Sequence, residues 1–90
     1  MSDQVVDAVT ARAIQVDAAR SCALFAWIIL KGQADYPGKF VARLATEHPT
    51  IYVMVADTLA EVQAMLPLGL AHAARDNADP PDVVEIWLSP

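Results

Sequence analysis

The side chains that could do chemistry here are one thiol, two imidazoles and a scatter of carboxylates. Nucleophilic catalysis needs a nucleophile, a base in hydrogen-bond reach and an acid to orient the base. Cys22 has no cationic neighbour in sequence nearer than Arg20, and an inert thiol is the expectation. His48 and His72 have no second ligand at metal spacing, so a zinc site would need both to converge with Cys22 through the fold. Asp76, Asp79 and Asp82 suggest a cation loop, but Pro80 and Pro81 interrupt it and the closing glutamate is missing, which leaves a solvated loop. Asp35 falls in a turn. Asp57 falls at a helix entrance, where its charge suits the N-terminal dipole. The glycines, Gly32, Gly38 and Gly69, are isolated and build no phosphate cradle. Tyr52 and Trp87 lack the surrounding cations that base stacking would need and read as core or interface residues. The sequence therefore assigns no catalytic, cofactor-binding or metal-ligating residue, and the expected function is non-enzymatic with no cofactor.

Charge narrows the partners. Six lysines and arginines stand against eleven acids, giving a net charge of −5. Lys31 and Lys39 flank one loop while Arg12, Arg20, Arg43 and Arg75 are scattered, so no patch exists to displace phosphate counterions and no direct nucleic-acid binding is expected. An acidic surface instead attracts basic partners. A single cysteine excludes an internal disulfide and favours a reducing compartment. Asp3 and Asp7 give the N-terminus the wrong charge for a signal peptide. The uncharged run from Ser21 to Leu30 is far short of the roughly 20 apolar residues of a membrane span. A cytoplasmic protein with no membrane contact is expected.

The elements that must position these residues follow from periodicity. Residues 1–22 read as a loose or helical arm: Val5, Val9, Ala13 and Val16 recur at helical spacing, with Ser2 and Asp3 as the expected cap. The stripe is thin, so the arm is expected to be dispensable for folding. Residues 23–90 read as a single α+β domain. Phe25–Leu30 is an apolar, aromatic and β-branched run with strand character. Tyr36-Pro37-Gly38-Lys39 has the residues of a type II turn and leads into a one-sided strand over Phe40–Thr46. After Pro49, Ile51–Val55 is a third strand, and short links predict an antiparallel meander. Thr58-Leu59-Ala60-Glu61 has the form of a capping box. The helix it opens carries Leu59, Val62, Met65 and Leu66 and ends before Pro67. Leu70–Arg75 reads as extended and residues 76–82 as a loop. Val83–Leu88 supplies a fourth strand, with Val84, Ile86 and Leu88 on one face and Val83, Glu85 and Trp87 on the other. The expected fold is β-β-β-α-β with one short helix packed on the sheet.

That order of elements, with Asp57-Thr58-Leu59 and Glu61 at the helix start, resembles the partial dsRBD-like domain of HicB-type antitoxins over residues 23–89. The chain departs from the pattern in three places. Ala56 stands where the family usually has glycine, Glu47-His48-Pro49-Thr50 replaces a Pro-Asp-Leu-Pro-Gly-type segment, and Pro67 shortens the helix. The resemblance implies partner binding, and it covers the partner-binding half rather than a DNA-binding segment.

One short helix covers one side of a four-stranded sheet, yet two of the strands are apolar on both faces. Trp27, Ile29, Tyr52, Met54 and Trp87 are the candidate interface residues. The expected function is a protein-interaction module, either HicB-like or self-associating, with a homodimer or a basic protein partner. The rival is a small dimeric enzyme or metabolite-binding domain with its site between subunits. A polar pocket at a dimer seam favours the rival, and an open sheet face or strand edge favours the module.

Overall fold

In a computed structural model that describes residues 3–21, 24–47, 49–67, 69–73 and 81–89, the apolar runs form strands where alternation requires them. The elements are β1 (Gln4–Val5), α1 (Ala8–Ser21), β2 (Ala26–Lys31), β3 (Phe40–Ala45), β4 (Pro49–Ala56), α2 (Leu59–Met65), β5 (Ala71–Ala73) and β6 (Val83–Leu88). They build one six-stranded sheet in the order β1-β4-β3-β2-β6-β5. The class is α+β, as expected, but the sheet is mixed rather than antiparallel. β1 runs parallel to β4, while every other pair is antiparallel. The expected meander is β2-β3-β4, and the expected final strand, β6, pairs with β2.

The local signals act at the atoms that define them. Gly38 has φ +74° and the Lys39 amide donates to the Tyr36 carbonyl at 3.1 Å. That is the bond and the positive φ a type II turn requires. Thr58 has extended backbone at the start of α2, and its hydroxyl accepts from the Glu61 amide at 3.1 Å. The Glu61 carboxylate accepts from the Thr58 hydroxyl rather than from the Thr58 amide that a capping box would use, so only the threonine half of the box forms as expected. Leu66 caps the other end, ahead of the buried Pro67.

The N-terminal segment takes the helical of its two expected forms, as a 14-residue helix after a two-residue strand, and it packs on the core. Asp7, not Ser2 or Asp3, supplies the helix cap, since its Oδ1 accepts from the Thr10 amide at 2.8 Å. The Val5-Val9-Ala13-Val16 stripe faces solvent, with Val9 at 79% exposure. The inward stripe is Ala11, Ile14 and Ala18, which packs on the core with Val6. Ala11 is fully buried. Small side chains let the helix backbone approach the sheet closely, so a weak-looking stripe still seals a core.

Both helices cover one face of the sheet. Their core contains Phe25, Trp27 and Ile29 of the β2 run, Ala42 and Leu44 of β3, Met54 and Ala56 of β4, and Val62 of α2. Trp27 donates from Nε1 to Gln15 Oε1 of α1 at 2.8 Å, so its one polar atom is satisfied. At β6 a bulge opposite Ile29 and Leu30 breaks the expected alternation. Glu85, Trp87 and Val84 lie toward the helices, while Val83 joins Ile86 and Leu88 on the far face.

Candidate functional site

The five expected interface residues all belong to the helix side. Trp27, Ile29 and Met54 have no exposure at all. They are core, not surface, because α1 covers what one helix could not. Tyr52 and Trp87 are partly buried against the same core. The surface that remains is the other face of the same strands.

That helix-free face divides into two halves of different character. Over β1, β4 and β3 it is closed by a polar clamp. Arg43 donates from Nη1 and Nη2 to the two Asp3 carboxylate oxygens, each at 2.8 Å, and from Nη1 to the Thr50 carbonyl at 2.8 Å. The loop after β2 folds back so that the Tyr36 hydroxyl donates to Asp3 at 3.1 Å. Val41 and Val53, the neighbours of Arg43 along and across the strands, are fully buried. The hydrogen bonds from Arg43, with its charge, hold the Asp3 carboxyl below the ordinary carboxylate range. Burial and then the hydrogen bond to Asp3 push the Tyr36 phenol above its ordinary value.

Over β2, β6 and β5 the same face is apolar and, among the described residues, uncovered by a helix, with Ile28, Leu30 and Ile86 half-buried and Val83 buried. Cross-strand register sets Ala26 beside Leu88 and Ala71, Ile28 beside Ile86 and Ala73, and Leu30 beside Val83. None of these side chains carries charge. Leu88 is 42% exposed and Leu24, at the sheet's end, 72%. There Leu24, Phe25, Ala26, Thr46, Leu88 and Ser89 line an apolar hollow of about 260 Å³.

A second feature lies on the helix side, between α2 and β6. A cleft of about 360 Å³ is lined by Gln63, Leu66, Pro67, Gly69, Leu70 and Trp87. Beside it, Glu85 accepts from Gln63 Nε2 at 2.6 Å and from Trp87 Nε1 at 3.2 Å. His72 stacks on the Trp87 ring at 4.7 Å between centroids, and its Nε2 lies 3.5 Å from Glu85 Oε2. The sequence reading placed Glu85 and Trp87 on one strand face but drew nothing from it. An acid alternating with a tryptophan in an otherwise apolar strand was the available signal.

Of the residues weighed for chemistry from sequence, His72, Asp57 and Asp82 hold local partners. Among the described residues no three histidine, cysteine or acidic side chains converge to hold a metal. Cys22, His48, Asp76 and Asp79 lie outside the described residues. Asp82 accepts from Gln33 Nε2 at 2.6 Å and, through its carbonyl, from the Lys31 amide at 2.9 Å, so it ties the loop after β2 to β6. Asp57 pairs with Lys39 at the surface. No described helix is long and apolar enough to cross a membrane. No family model, no curated protein and no solved structure matches the chain.

Proposed function

We propose that this chain is a non-enzymatic protein-interaction module that pairs with a second copy of itself through the open half of its helix-free sheet face. The observation that carries this reading is the uncharged strip of Ala26, Ile28, Leu30, Ile86 and Leu88, in register across β2 and β6. A contiguous apolar patch beside a polar clamp has the composition of an interface core and rim. Copies of a chain with net charge −5 repel one another. They can meet only where no carboxylate is buried, and this strip meets that condition. A two-fold axis would set the same residues against each other on both sides.

The order meander, capped helix, final strand is also the order on which the HicB-type likeness rests, and it favours partner binding over catalysis. A cytoplasmic setting belongs to the same proposal and rests on the single cysteine.

Sedimentation equilibrium at micromolar concentration tests the reading. The wild-type chain is expected to be dimeric. Leu88→Lys, which places a charge in the strip at an exposed position, is expected to be monomeric while still folded, with a melting temperature that no longer depends on protein concentration. A wild-type chain that stays monomeric up to high micromolar concentration overturns it.

A further inference from the structure

Glu85 stands where a strand facing two helices should carry an apolar residue. It pairs across β2 with Ile29, which has no exposure, and its own side chain is only 18% exposed. A carboxylate so placed is costly unless its charge is answered. Two neutral donors, Gln63 and Trp87, both reach the same oxygen, Oε1. Among the described residues Oε2 faces only His72, at 3.5 Å, well beyond the roughly 2.7–2.9 Å of a charge-assisted hydrogen bond. No lysine or arginine among the described residues pairs with Glu85. Among the described residues the acid is thus positioned by neutral donors and faces no lysine or arginine.

The cleft beside Glu85 has an apolar wall. Gln63 and Trp87, the two residues bonded to Glu85, line it together with Leu66, Pro67 and Leu70. A basic side chain needs an apolar wall for its stem and a carboxylate for its head. Tryptophan is the best ring for a cation to lie against. Guanidinium suits this combination better than ammonium, because it is planar, weakly hydrated and stacks on aromatic faces. We infer that the cleft between α2 and β6 receives an arginine side chain of a bound polypeptide, with Glu85 Oε2 taking the guanidinium and Leu66, Pro67 and Leu70 taking the stem. The net charge of −5 adds attraction for a basic segment at longer range. This site is on the helix side of the sheet and does not depend on self-association through the other face.

The test uses the full chain and two peptides, acetyl-Gly-Gly-Arg-Gly-Gly-amide and its glutamine counterpart, followed by NMR of the two tryptophan indoles. Trp27, bonded to Gln15 inside the core, is the internal control. The arginine peptide is expected to shift the Trp87 indole saturably and leave Trp27 still. The glutamine peptide and the Glu85→Gln variant are each expected to weaken binding about tenfold, the scale of one such interaction. Glu85→Gln could also loosen Gln63 and Trp87, so Leu70→Lys provides a second variant that leaves those bonds intact. Its tethered ammonium competes for the cleft and is expected to abolish binding. Equal affinity for the two peptides, or unchanged binding in a folded Leu70→Lys variant, overturns the site. Neither result bears on whether the chain dimerises.

Discussion

The two faces of this sheet are made from the same strands yet are finished in opposite ways. On one, Trp27, Ile29, Leu44 and Met54 are sealed under α1 and α2, and the polar atom of Trp27 is matched by Gln15. On the other, half the area is closed by a charge pair and half is left apolar and open. Both faces alternate into apolar side chains, so hydrophobicity alone does not distinguish them. What distinguishes them is what the connecting segments bring. The β1–α1 segment brings alanines that allow close approach to the first face, and Asp3 and the Tyr36 loop bring hydrogen bonds to the second. The first face carries most of the core, and the apolar half of the second is available for other contacts.

The largest expected effect tests that division directly. Removing residues 1–21 strips Val6, Ala11, Ile14 and Ala18 from the core and leaves Trp27 Nε1 without its partner. The truncated chain is expected to lose its cooperative urea transition, which reverses the dispensability read from sequence. A truncated chain that unfolds cooperatively near the wild-type midpoint would show that α1 merely rests on the sheet. Next in size, Trp27→Ala is expected to cost about 3–5 kcal/mol, the range for deleting a large buried ring. Leu88→Ala, on the other face, is expected to stay within about 0.5 kcal/mol when measured at a concentration low enough to keep the chain monomeric, as surface changes usually do. Similar losses from the two would erase the distinction between the faces.

Much of the covered side was legible. The strand runs at Phe25–Leu30, Phe40–Thr46, Ile51–Val55 and Val83–Leu88, the turn at Gly38 and the cap at Thr58 are local patterns, and local patterns can be read from sequence. Three features were not. β1 is a two-residue parallel strand whose partner lies about fifty residues away in sequence, and pairing of that kind leaves no periodic mark. α1 announced itself as a helix, but its valines drew attention to the wrong stripe, since burial there is set by how closely an alanine lets two backbones approach. The bulge in β6 shifted Val83 and Val84 between faces, and a bulge appears only when the partner strand is in register. The candidate surfaces follow from these misses. Trp27 was expected at an interface because the valines and alanines of the N-terminal helix read as too small to cover it.

The clamp on the closed half gives the third prediction. Asp3→Ala leaves the Arg43 guanidinium and the Tyr36 hydroxyl without their shared acceptor, both partly buried. The expected cost is about 2 kcal/mol, measured by urea denaturation at neutral pH. The pH dependence follows from the lowered Asp3 pKa. Because Arg43 holds Asp3 below its unfolded value, the unfolded chain takes up the proton first as pH falls. The clamp's stability is therefore fully present above the unfolded carboxylate range near about pH 4. It is lost as pH drops through the folded value. Asp7 is also held low, by its hydrogen bond to the Thr10 amide, so the wild-type slope has two sources. Asp3→Asn is expected to flatten the acid limb without abolishing it. An unchanged limb would place the clamp outside the stability of the fold.

The smallest loss expected on the covered face, from Thr58→Ala, asks whether that face depends on how α2 begins. α2 has only seven residues, too few to hold a helix in water unaided. Its position comes from Val62, fully buried, and from Leu59 and Met65 packed beside it. The Thr58 hydroxyl accepts from the Glu61 amide and donates to the Glu61 carboxylate, which ties the first turn to the end of β4. Alanine removes both bonds and leaves one first-turn amide to water. Because Thr58 and Glu61 are exposed, water replaces them at modest cost. The expected loss is about 1 kcal/mol, inside the usual range for a lost cap. Gln63 rides on the same helix, so its bond to Glu85 supplies a second reading of the same change. If the cap fixes the register of α2, the Trp87 indole resonance shifts along with the urea midpoint. If packing of Val62 alone fixes it, the midpoint falls while that resonance stays where it was.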